Sequence, residues 1–136
     1  MPMTPTWQQR VGDYMLGKTT VPALSDLWMG LSKTNAVATG LFTGEVSGTG
    51  YARINVTSLF TVFDSDGIAR NSALVEFGVP GSDWTGDGEL LAYVFFATLV
   101  TGGEIKYYEE IPNPRAARSG SKSVKWAAGR IRIQHI

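Results

Sequence analysis

Between Thr4 and Gly17 the apolar side chains recur with helical spacing. Trp7, Val11, Tyr14 and Met15 fall on one face of a 3.6-residue repeat. Thr6 is suited to cap this helix, with Gln9 where a capping box needs it, and Gly17 is a natural stop. A lone amphipathic helix must bury its stripe on its own sheet or on a neighbouring subunit, and the sequence leaves both open. Beyond Pro22 the period changes to two. Leu27, Met29 and Leu31 alternate with Trp28 and Gly30. Ala52, Ile54 and Val56 alternate with Tyr51, Arg53 and Asn55, and Ala73, Val75, Phe77 and Val79 with Leu74, Glu76 and Gly78. Leu90 to Thr98 is a near-continuous apolar run, the pattern of a strand covered on both faces. Ile105, Tyr107 and Glu109 follow, then Val124 and Trp126, then Ile131 and Ile133. No second helical pattern separates these segments, so a parallel α/β sheet is excluded. The pattern predicts a mainly β fold, an antiparallel β-sandwich of jelly-roll type with a short N-terminal helix or arm. Residues 1–22 form the arm and residues 23–136 a single β domain.

The connections carry turn chemistry. Residues 43–50, Thr-Gly-Glu-Val-Ser-Gly-Thr-Gly, read as a flexible loop, and Asp64-Ser65-Asp66-Gly67 as a hairpin turn. Two glycine-bearing turns flank Trp84. The stretch from Ile111 to Lys122 contains Pro112, Pro114 and Gly120 and reads as an exposed, mobile or partner-ordered loop. The 16 glycines and the low charged fraction of 18% agree with short strands and tight turns.

Lys plus Arg and Asp plus Glu both number 12, so no net field favours nucleic acid or an anionic membrane. Six of the twelve basic residues lie from Arg115 to Arg132, and the acids lie mostly upstream. Such a chain can dock head-to-tail on its own copies or on an acidic partner. There is no cysteine, hence no disulfide, thiol nucleophile or thiolate metal site, which suits a protein made and assembled in a reducing cytoplasm. The start Met1-Pro2-Met3-Thr4-Pro5 lacks the features of a signal peptide, and the longest apolar run is far short of a membrane span, so a soluble chain is expected.

Candidate chemistry is sparse. The single histidine, His135, lies beside the C-terminus, a poor place for a catalytic imidazole. Asp64 and Asp66 resemble the opening of a calcium loop, but Val75 stands where its closing Glu belongs. Asp83, Asp87 and Glu89 offer oxygen ligands around Trp84 or a polar loop. Glu109 and Glu110 are adjacent on a strand and point to opposite faces, unsuited to paired acid chemistry. Gly44, Gly48 and Gly50 precede a strand, whereas a phosphate loop opens a helix. Tyr107, Tyr108 and Trp126 are aromatics near basic residues, better suited to a core or a subunit interface than to stacking bases. The sequence therefore predicts no enzyme, no cofactor and no metal.

Three strings form a set: Leu27-Trp28-Met29-Gly30-Leu31-Ser32 after the helix, Glu45-Val46-Ser47-Gly48-Thr49-Gly50-Tyr51-Ala52-Arg53, and Ala127-Ala128-Gly129 before a final strand. Together they resemble a family of small virion structural proteins of tailed bacteriophages, of head-decoration or tail-fibre-like type. That resemblance implies a virion protein, β-rich and homo-oligomeric, with no catalytic residues. The first expectation is a trimeric capsid decoration (cement) protein bound to copies of itself and to the major capsid protein. The alternatives are a tail-fibre or tail-tip component, and a carbohydrate-binding module with Trp84, Tyr107 and Tyr108 as its platform. Candidate subunit or capsid contacts are Trp7, Arg10 and Tyr14 on the helix, Tyr51 and Arg53 after the glycine loop, and Arg115 and Arg118 in the long loop. Tyr51 and Arg53 share a strand face and are expected to stack outward or to reach a neighbour.

Overall fold

The structure is a computed structural model that describes residues 2–19 and 26–134. Helix α1 spans Pro5–Met15, and eight strands follow: β1 Trp28–Ser32, β2 Ile54–Asn55, β3 Ile68–Arg70, β4 Val75–Gly78, β5 Leu91–Ala97, β6 Ile105–Arg115, β7 Val124–Trp126 and β8 Arg132–Gln134. One antiparallel sheet has the order β2-β1-β5-β6, and two antiparallel ribbons pair β3 with β8 and β4 with β7. This is the expected mainly β, sandwich-like arrangement with one N-terminal helix.

Strand β5 is apolar on both faces because each face meets a different core. Val94 and Phe96 join Met29, Leu31, Val56, Val75, Trp84 and Ile131 in the larger core. Phe95 and Ala97 join Val37 and Ile105 in a smaller one, with Phe42, Tyr93 and Tyr108 packed against it. The 3-10 turn Asn35–Thr39 supplies Val37 to the smaller core. Gly30 sits directly opposite Phe95 across the β1–β5 ladder. A Cβ on Gly30 would stand 2.2 Å from the tip of the Phe95 ring, so this glycine is the space the ring occupies.

Two local expectations change, and the helix stripe divides. The helix begins at Pro5, with Thr4 rather than Thr6 at its N-cap. The Thr4 hydroxyl makes no cap bond and donates instead to the Ile105 carbonyl at 2.6 Å, while Pro5 needs no partner for a missing N–H. Of the helical stripe only Trp7 is buried; Tyr14 and Met15 are exposed. The expected loop from Ile111 is strand as far as Arg115. The β5–β6 register passes from Tyr93↔Glu110 to Leu91↔Arg115, so Ile111–Pro114 form a bulge. β6 is an edge strand, where proline is tolerated because its absent N–H breaks no ladder bond. Strand β3 has no counterpart in the period-two pattern.

Candidate functional site: exposed apolar surfaces and a buried ionic clasp

Glu45, Tyr51 and Arg53 close the glycine loop into a ring. The Arg53 guanidinium donates to both Glu45 carboxylate oxygens, from Nε at 2.8 Å and from Nη2 at 2.7 Å. Its Nη1 donates to the carbonyls of Leu99 at 2.7 Å and Gly102 at 2.8 Å. Four of its five N–H donors therefore have partners inside the chain. The planar group also lies over the rings of Phe42 and Phe95, 4.6 and 5.1 Å from their centroids. The Tyr51 hydroxyl donates to Glu45 at 2.7 Å and accepts from the Leu31 N–H at 3.2 Å. Burial pushes the ionisation of this hydroxyl well above the usual tyrosine range. The Tyr51 ring stacks on Phe77 and meets Trp84 edge-on.

Trp84 fastens the other side of the loop. Its indole N–H donates to the Thr49 carbonyl at 3.0 Å, and the Ser82 hydroxyl accepts from the Thr49 N–H at 2.8 Å. Gly48 takes a φ of 144°, and a Cβ there would stand 2.6 Å from the Ser82 hydroxyl oxygen. Trp84 is 2% exposed. Tyr107 packs against the larger core and Tyr108 against the smaller, so the three aromatics do not form one carbohydrate platform. Among the described residues no group of three or more His, Asp or Glu side chains is placed to hold a metal ion. The carboxylates around Trp84 are each held by groups of the chain, and Arg118 faces both Asp83, at 3.9 Å, and Asp87. Asp83 accepts from the Ser119 N–H at 2.9 Å, Asp87 pairs with Arg118 at 2.5 Å, and Glu89 pairs with Lys33 at 3.2 Å. The Gly86 N–H and the Lys33 ammonium hold the Glu89 carboxyl below the usual carboxylate range. The hydrogen bond and charge of Asp87 raise Arg118 above its ordinary value. Asp64 accepts from the N–H groups of Asp66 and Ile68, making the expected hairpin turn.

The sequence-named contact residues separate into different roles. Tyr51 and Arg53 lie just before β2 and meet at Glu45 inside their own chain, Tyr51 against the larger core and Arg53 over rings of the smaller, so they brace the chain rather than stack outward. Arg115 donates to the carbonyls of Lys122 and Ser123 and closes the segment between them. Arg118 pairs across to the Trp84 loop, and the Ala117 carbonyl there accepts from the N–H groups of Trp84 and Thr85. The long loop is thus ordered by its own chain. Trp7 is buried, with the Lys106 ammonium 4.6 Å and the Arg10 guanidinium 5.1 Å from its ring centroid. Burial lowers the Lys106 ammonium below the usual lysine range. Arg10 forms a forked pair with Glu104. Tyr14 stays exposed beside Met15 and Leu16, which are 76% and 74% exposed.

Three outward apolar residues were missed. Leu16, Val62 and Phe63 join Tyr14 and Met15 among the large side chains left in solvent. Glu45 was missed too, although an acid and an arginine at the two ends of a glycine-rich loop are a signal for an ion pair that closes it. Among the described residues, an apolar cavity of about 300 Å³ lies between the helix and the sheet, lined by Met3, Trp7, Val11, Phe60, Phe63 and Tyr107. His135 lies outside the described residues. No helix among the described residues is long and apolar enough to cross a membrane. A family model described as "Podophage GP4 fiber I protein gp80" matches residues 2–134. No curated protein matches the chain.

Proposed function

The chain belongs to the podophage GP4 fiber I protein gp80 family, a tailed-phage virion structural family, and on that premise we propose that it is a subunit of the particle's fibre. The observation that carries this reading is the extent of the match, which takes in the helix and every strand. The fibre reading replaces capsid decoration as the preferred one, because the family description names a fibre protein. The fold suits a passive building block. The clasp at Glu45, the Trp84 fastening and the Arg115 closure brace the chain internally. The apolar side chains at the end of α1 and at Val62 and Phe63 offer contact area to neighbours. Its partners in this reading are other copies of the chain and an adjoining virion protein. The role is non-catalytic, in keeping with carboxylates around Trp84 that are already held by Arg118, Lys33 and backbone N–H groups.

Immunogold labelling of purified particles with antibody to the chain tests this directly. Gold on the tail or its fibres is the expected result. Gold distributed over the head shell would return the protein to the decoration class.

A further inference from the structure

Residues 2–19 form an arm whose contacts with the body are those of a docked peptide. Pro2–Thr4 add to the outer edge of β6. The Thr4 N–H donates to the Lys106 carbonyl at 2.9 Å, the Tyr108 N–H donates to the Pro2 carbonyl at 3.0 Å, and Met3 bridges Tyr107 antiparallel. Trp7 is the apolar anchor, and Arg10 the charged one through Glu104. This is strand addition with a side-chain anchor, the mode by which extended peptides join an exposed sheet edge. These contacts fall on residues 104–108 of β6 and the turn before it. None depends on the arm belonging to the same chain.

The same arm is poorly covered where it sits. Beyond Trp7 the helix turns Tyr14, Met15 and Leu16 to solvent, and the described part of the body does not close over them. Exchange of an identical element between copies keeps every docking contact while joining two bodies, and leaves these side chains free for further contact. We infer that the arm of one copy docks on the β6 edge of another, with Trp7 and Arg10 supplied in trans. The occupant of the edge is thus a second copy of this chain. Reciprocal exchange closes a two-fold dimer, whereas one-way donation from copy to copy builds a ring or an open row according to the rotation between copies.

The absence of cysteine makes the test clean. Arg10→Cys and Glu104→Cys chains, carrying tags of different mass, are co-expressed at full length and oxidised. Both positions are on the surface, and the lost ion pair is an exposed one, so folding should survive. The control pairs Arg10→Cys with Asp87→Cys, which lies near Arg118 beyond the far end of β6. The inference requires the mixed Arg10→Cys–Glu104→Cys product in several-fold excess over the control. It also requires disulfide-linked multimers from the double variant. A double variant that runs only as an internally linked monomer, with mixed product no higher than control, would overturn it.

Discussion

Arg53 brings a full charge into the core, and its stability contribution depends on every partner being present. A buried, hydrogen-bonded ion pair that loses one member typically costs about 3–5 kcal/mol, because the remaining charge is left uncompensated. Glu45 retains some exposure, so the low end applies: Arg53→Ala should cost about 3 kcal/mol, read as a lowered urea midpoint. Arg53→Lys should recover little, since one ammonium cannot form the fork and reach two carbonyls as well. A melting curve unchanged by Arg53→Lys would refute the geometry. Tyr107 gives a pH signature. Burial pushes its hydroxyl up to about 12 from 10.0. The folded-state value is the raised one, so its contribution to stability is complete below pH 10.0 and is lost as the pH climbs toward about 12. Urea titrations at pH 9 and pH 11 should show a fall for the wild type and a smaller fall for Tyr107→Phe; equal falls would remove Tyr107 as a source. At this scale the sequence was half legible. A period of two puts Tyr51 and Arg53 on one face, but it cannot say which face is inside when a charge is matched by Glu45.

At the scale of elements, legibility followed the length of the pattern. The run from Leu90 to Thr98 announced a strand buried on both faces because no alternation interrupts it, and β5 has a core on either side. β3 has only three residues, too few to show a period, and its pairing with β8 arises from contacts distant in sequence. The segment from Ile111 read as a loop because prolines normally end a strand, yet an edge strand with a bulge accommodates them. The β1–β5 ladder has a specific weak point. Gly30→Val would drive its side chain into the Phe95 ring, and overpacking of this kind costs about 1–3 kcal/mol. A loss of that size in chemical denaturation is expected; a stable Gly30→Val protein would mean the ring has another place to go. Pro112 and Pro114 deny N–H donors to any strand approaching this part of β6. Pro112→Thr with Pro114→Thr should leave the monomer folded and raise self-association, seen as increased light scattering at equal concentration. Unchanged scattering would show that the bulge alone protects the edge.

For the whole molecule, the balance between inward and outward residues separates what stabilises the chain from the apolar surface it leaves to solvent. The Glu45 clasp, the Trp84 fastening and the two cores account for the fold without Met15 or Leu16. These two lie at the end of a helix whose only buried residue is Trp7. The sequence placed Met15 on an apolar stripe that its own sheet or a neighbouring subunit could cover. It could not reveal that the body stops covering the helix after its first turns, because the extent of a neighbouring sheet is a tertiary property. Large apolar side chains held in water contribute little to the isolated chain, and replacing them away from special features usually changes stability by less than about 0.5 kcal/mol. Met15→Gln with Leu16→Gln keeps good helix formers at both sites. The free protein should therefore melt as the wild type does. If these residues meet a neighbour in the particle, their apolar contact is lost on assembly. Particles grown with the variant should then carry fewer copies of the protein, measured by quantitative immunoblot against a head protein of the same particles. A full complement of the variant, with unchanged melting of the free chain, would remove this end of the helix from the interface and leave Val62 and Phe63 as the next surface to probe.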